Sequence, residues 1–159
     1  MDIKQNTLYC SIRKELVAAL PEEIIRQRLL VYMLNDRGFP EALVAVEKTL
    51  KQMPHLGSLN PLKIPHRRAD IICYGKGIHP DCALYPLLLI ECKAVKLTSR
   101  VINQVAGYNQ FVKAYFIAIV NDHEIQTGWF DPKQGVYVFV PHLPSYEELL
   151  EAVIPAHNT

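Results

Sequence analysis

The segment LLLIECKAV, residues 87–95, places one carboxylate, Glu91, and one amine, Lys93, in a run that otherwise reads as buried strand. A charge moved into low dielectric is strongly disfavoured unless it is paired or ligated. Side chains alternate along a strand, so Glu91 and Lys93 point to one face and Ile90 and Cys92 to the other. Asp70 opens a second apolar segment, ADIICYG, directly after Arg67 and Arg68. If the two segments pair as neighbouring strands, two carboxylates and a lysine converge. Hard divalent cations such as Mg²⁺ prefer carboxylate and water oxygens and usually take only one or two carboxylates from protein. The carbonyl of Cys92 could add a further oxygen. Such a metal acidifies a bound water and stabilises charge on a phosphate. Lys93 could orient or deprotonate the attacking water, or hold a phosphoryl oxygen. This is equipment for phosphodiester hydrolysis. The competing reading is a structural Glu91–Lys93 ion pair at a sheet edge.

The elements that must position these residues are legible in the pattern. LPEEIIRQRLLVYMLNDRGFP predicts a helix: Pro21 suits the first turn, Glu22 and Glu23 sit at the positive end of the dipole, and Gly38 and Pro40 stop it. A strand is expected over 43–49, then a connecting excursion over 51–68, long enough to be functional. Strands follow at 69–75 and 87–95, joined by a turn region and read as a hairpin. TSRVINQVAGYNQFVKA predicts a helix capped by Thr98 or Ser99, with Val101, Val105, Tyr108, Val112 and Tyr115 as its packing stripe. Strands are expected at 115–121 and 135–140. A closing helix is expected over 145–154, with Ser145 and Glu148 in a capping box. The predicted order is α-β-β-β-α-β-β-α, an α/β domain with a mixed sheet flanked by helices, over residues 1–159, with 141–159 as C-terminal helix and tail.

Five segments in this order, PEEIIRQRLL, VAVEKTL, RRADIICY, LIECKAV and QVAGYNQ, resemble the N-terminal nuclease domain of type I restriction enzyme R subunits. The resemblance runs from about Pro21 to Phe130. Asp70 followed by Glu91-Cys92-Lys93 is similar to the D…(D/E)-x-K signature of the wider restriction-endonuclease-like superfamily. The resemblance implies a restriction-endonuclease-like core and a Mg²⁺-dependent endonuclease acting on DNA, with Mn²⁺ as a substitute. It implies Asp70 and Glu91 as metal ligands and Lys93 as the catalytic lysine. Glu23 would add a third acid to the metal site, with Glu22 as its competitor. Gln104 and Tyr108, i and i+4 on one helix face, match a Q-x-x-x-Y motif that supports the site and touches DNA. Each has a plainer reading: a dipole residue for Glu23, a solvated helix position for Gln104, core packing for Tyr108.

Arg67 and Arg68, with Lys63 and His66, form a basic patch, to which Lys96 and Arg100 add from the helix side; such residues could meet DNA phosphates. The whole chain carries a net charge of only +1, so unaided tight binding to nucleic acid is not expected from composition. A homodimer, or a separate motor or specificity subunit, could supply affinity. R subunits carry a helicase motor after this domain, and ATP-driven translocation is not expected within these 159 residues. The alternative function is an inactive nucleic-acid-binding or assembly module of the same fold. Cys10, Cys73, Cys82 and Cys92 form no CxxC and read as reduced thiols, pointing to the cytoplasm. Neither a signal peptide nor a membrane span is indicated. The histidines lack zinc spacing, YGKGIHP lacks P-loop spacing, and no serine sits in a nucleophile elbow.

Overall fold

A computed structural model describes residues 6–57, 60 and 67–154. A six-stranded mixed sheet holds strands β3 (Val44–Thr49), β4 (Arg68–Lys76), β5 (Leu84–Cys92), β6 (Phe116–Val120), β7 (Ile125–Asp131) and β8 (Val136–Val140), in that spatial order. Only β5 and β6 run parallel; every other neighbouring pair is antiparallel. The parallel step needs a crossover, and helix α2 (Ser99–Val112) supplies it. Helices α1 (Pro21–Asp36) and α3 (Tyr146–Val153) complete the predicted set. Two short strands, β1 (Thr7–Cys10) and β2 (Glu15–Ala18), form a separate antiparallel hairpin before α1.

The sheet is covered on both faces. Ile25, Leu29 and Met33 of α1 and Leu149 and Val153 of α3 pack with Val46, Ile71, Leu88, Ile90 and Ala118. Val105, Tyr108 and Val112 of α2 pack with Ile72, Leu89, Ile117 and Ile119. Double coverage is why 87–92 reads as an unbroken apolar run rather than an alternating one. It also sets the burial of Glu91, the one acid in that run, at 4 % exposed.

The caps follow the sequence. Pro21 occupies the first turn of α1, and Gly38 at φ +69 reverses the chain so that Phe39 N–H donates to the Met33 carbonyl. Thr98, not Ser99, caps α2 by accepting from Val101 N–H. Ser145 and Glu148 form the expected capping box of α3.

Several boundaries differ from expectation. The third predicted strand begins earlier, at Leu84, and ends at Cys92, so Lys93 lies just past it. Among the described residues, the 51–68 excursion includes a short 3₁₀ turn at Pro54–Leu56, following one at Leu50–Gln52. The expected order omitted β1, β2 and β7. The turn of the β1–β2 hairpin has no glycine; Lys14 takes the left-handed conformation at φ +56 instead. In β7, Gly128 breaks the apolar pattern because the Phe139 ring lies across it. A Cβ there would come within 2.5 Å of that ring.

Candidate active site

Asp70 and Glu91 meet because β4 and β5 are antiparallel neighbours. Their ladder pairs Ile71 with Ile90, so the next position along sets Asp70 level with Glu91. Residues directly opposite share a face, here the face that α2 covers. Asp70 does more than sit opposite: its Oδ2 accepts the Cys92 backbone N–H at 2.8 Å. A strand residue's N–H and C=O point toward the same neighbour, so the Cys92 carbonyl is directed to the same side.

The two carboxylates live in different surroundings. Asp70 is partly open to solvent, and its Oδ1 lies 3.7 Å from Arg26 Nη2. Glu91 is buried, and its Oε1 has no hydrogen-bond partner among the described residues. Burial pushes the Glu91 carboxyl up to about 8, and the negative charge of Asp70 adds to the rise; Arg67 and Lys93 oppose it. A side-chain hydrogen bond with Asp70 raises it further, and among the described residues no cation lies within 4.0 Å of Glu91 to offset the burial.

Lys93 extends the sheet by donating its backbone N–H to the Val120 carbonyl at 2.8 Å. Its side chain is half-buried. Among the described residues Lys93 has no carboxylate within 4.0 Å, so no Glu91–Lys93 ion pair forms and the sheet-edge salt bridge is not seen.

From the α2 side, Tyr108 enters the core at 4 % exposed. Its hydroxyl donates to the Arg67 carbonyl at 3.3 Å, and the Arg67 guanidinium lies 4.6 Å above its ring. Burial first, then the Glu91 charge, pushes the Tyr108 hydroxyl up to about 12. Tyr108 is thus a buried support for Arg67 rather than an exposed contact surface. Gln104, one turn earlier, is exposed, and its side chain makes no hydrogen bond among the described residues. Arg68, Lys96 and Arg100 are exposed; Lys63 and His66 lie outside the described residues.

On α1, Glu22 is exposed and Glu23 is buried. Glu23 is not gathered with Asp70 and Glu91. Its carboxylate contacts Arg13 and Gln27, and Arg26 Nε lies 3.2 Å away. Arg26 and Arg13 each also reach Glu47 at 3.3 Å. Glu47 adopts φ +53 and drops out of the β3–β4 ladder, which aims its carboxylate at the guanidiniums. The Arg26 contacts are within charge-pairing distance, yet its Nε and Nη1 make no aligned hydrogen bond. These side chains line a cleft of about 670 Å³ between the hairpin, α1, β3 and Asp70. Among the described residues no three or more His, Cys, Asp or Glu side chains form a metal-ligating set.

Residues 21–144, from the start of α1 to just before α3, match the family described as type I restriction enzyme R protein N terminus. The chain belongs to this family. The matched span holds Asp70, Glu91, Lys93, Glu23 and Gln104, and extends past Phe130 through β8. No curated protein and no solved structure gave a significant match. Within this R-protein domain, sequence reasoning missed Arg26 and Glu47, and missed Arg13 just outside the matched span. Arg26 carried a signal: it lies three residues from Glu23, on the buried side of α1 beside Ile25 and Leu29. Arg13 carried none, because its role depends on where the hairpin docks.

Proposed function

We propose that this R-protein domain is a Mg²⁺-dependent nuclease that hydrolyses DNA phosphodiester bonds, with Mn²⁺ as a working substitute, alongside other subunits of a restriction-modification system. One observation carries the reading: a buried acid with an unsatisfied oxygen, Glu91, stands level with a second carboxylate, Asp70, at the end of β5. Family membership supports DNA as the substrate. The donors fit a hard divalent cation, since two adjacent carboxyl groups and a backbone carbonyl directed to the same side are oxygen ligands of the kind such ions take. Asp70 and Glu91 would hold it. When bound, the cation supplies Lewis acidity toward a phosphoryl oxygen and acidifies water.

The chain's own residues have separable tasks. The Cys92 N–H fixes Asp70 Oδ2 and leaves Oδ1 facing the cleft. The Lys93 ammonium, anchored by its backbone bond to β6 and not spent on a carboxylate, is available to a non-bridging phosphoryl oxygen. Arg67, stacked on Tyr108, and the exposed Arg68, Lys96 and Arg100 offer contacts to flanking phosphates. Asp70→Ala and Lys93→Ala should retain native circular dichroism and lose plasmid cleavage in Mg²⁺ or Mn²⁺ by about a hundredfold or more. Undiminished cleavage in both variants would remove the mechanism.

A second reading, a binding or assembly module without turnover, draws on the engagement of Glu23 by two arginines, which leaves only a pair of acids at the site. DNA retention with no cleavage by the wild-type protein in either metal would select it.

A further inference from the structure

We propose that Arg13 is a positioning residue that holds Glu23 in reserve, away from the Asp70–Glu91 pair. The inference rests on the metal-dependent reading above and concerns what sets the number of acids a cation meets. Arg13 stands in the turn of the β1–β2 hairpin, before the segment that matches the family. Its guanidinium grips two acids from different elements: Glu23 on α1 through Nη2, and Glu47 on β3 through Nη1 at 3.3 Å. A planar fork can hold both because its donors diverge in fixed directions.

Glu23 is linked to Asp70 through Arg26. Glu23 and Asp70 line the same cleft, and both contact the single guanidinium of Arg26. Around that cleft stand the acids Glu22, Glu23, Glu47 and Asp70 against the bases Arg13 and Arg26, so carboxylates outnumber guanidiniums. The place is suited to a cation once a guanidinium withdraws. Arg13 is the one whose withdrawal is simplest. Arg26 is embedded in α1, whereas Arg13 is carried by a two-stranded hairpin that forms a sheet of its own and pairs with no strand of the main sheet. The hairpin is tied to the core through Cys10, Ile12 and Val17 rather than by a strand ladder. An anionic phosphodiester oxygen entering the cleft would compete for the same fork, because guanidinium binds phosphate and carboxylate alike. Substrate entry would then free Glu23 to complete the metal site.

Mn²⁺ titration calorimetry on four proteins, wild type, Arg13→Gln, Glu23→Gln and the double variant, tests this as a cycle. Arg13→Gln should bind Mn²⁺ about tenfold more tightly than wild type, the scale expected when one unit charge leaves a partly screened site and one ligand is gained. In the Glu23→Gln background the same substitution should change affinity by less than about twofold, because the gain runs through Glu23. An equal gain in both backgrounds would make the effect one of charge alone and overturn the positioning role. So would unchanged or weakened affinity in Arg13→Gln while Glu91→Ala still abolishes binding. No heat in any of the proteins would overturn the metal reading itself, and this inference with it. Thermal melting shows whether each variant is folded. Should Arg13→Gln fail, Arg13→Lys, which reaches only one carboxylate, should give a gain of about two- to threefold that again requires Glu23.

Discussion

Two groups of charged side chains stand at the same end of the sheet, and the fold treats them in opposite ways. Glu23 and Glu47 are matched by Arg13 and Arg26, and the backbone of Glu47 is bent into the left-handed region to complete the match. Glu91, at least as deeply buried, has no cation within 4.0 Å among the described residues and faces another acid. A matched buried charge is explained by the fold that contains it. An unmatched one destabilises that fold and calls for a ligand outside the chain. The contrast separates the network that holds α1, β3 and the hairpin together from the pair to which the proposal assigns the chemistry.

The sharpest way to break the contrast is to remove the center of the matched network. Arg26→Ala leaves Glu23, Glu47 and Asp70 short of a counter-charge, and should lower stability by about 3–5 kcal/mol in denaturant titration. The unmatched acid should respond with the opposite sign. Glu91→Gln keeps the shape and cannot ionise, so the metal-free protein no longer has to hold a proton that the unfolded chain releases, and should become more stable at neutral pH. A loss of stability in Glu91→Gln comparable to that of Arg26→Ala would erase the distinction.

The pH dependence sharpens the same point. Glu91 is raised from 4.5 to about 8 on folding. Between those values the unfolded chain has released a proton that the native state keeps, so stability falls as pH rises. The metal-free protein should therefore lose stability, on the order of a few kcal/mol, from about pH 4.5 to about pH 8, and Glu91→Gln should flatten that slope. His55 gives a smaller effect of opposite sign. Burial lowers its pKa, and its Nε2 donates to the Val112 carbonyl at 2.6 Å. The unfolded chain takes up a proton near pH 6.5 that the native state resists, so this contribution is present above pH 6.5 and is lost as pH falls through it. In Glu91→Gln, melting curves below pH 6.5 should expose it, and His55→Gln should remove it.

The unmatched pair was legible in the sequence and the matched network largely was not. Strand alternation and an antiparallel hairpin are enough to bring Asp70 beside Glu91, because register carries positional information along the chain. The helices announced themselves through Pro21, Gly38, Thr98 and Ser145, each tied to a local backbone need. Lys93 fell one position beyond its strand, since nothing local marks where a ladder ends. Arg13 and Glu47 converge on Glu23 through tertiary docking and a left-handed backbone at a non-glycine residue, neither of which has a periodic signature. Strand β7 has a weak signature because Gly128, over which the Phe139 ring lies, interrupts its apolar pattern.

The central claim, that Asp70 and Glu91 await a cation, is tested most directly by thermal melting at pH 8 with and without millimolar Mn²⁺. The account predicts that Mn²⁺ raises the melting temperature of the wild-type protein and leaves that of Glu91→Gln, already more stable without metal, unchanged. Equal shifts in the two proteins, or none in the wild type, would contradict it.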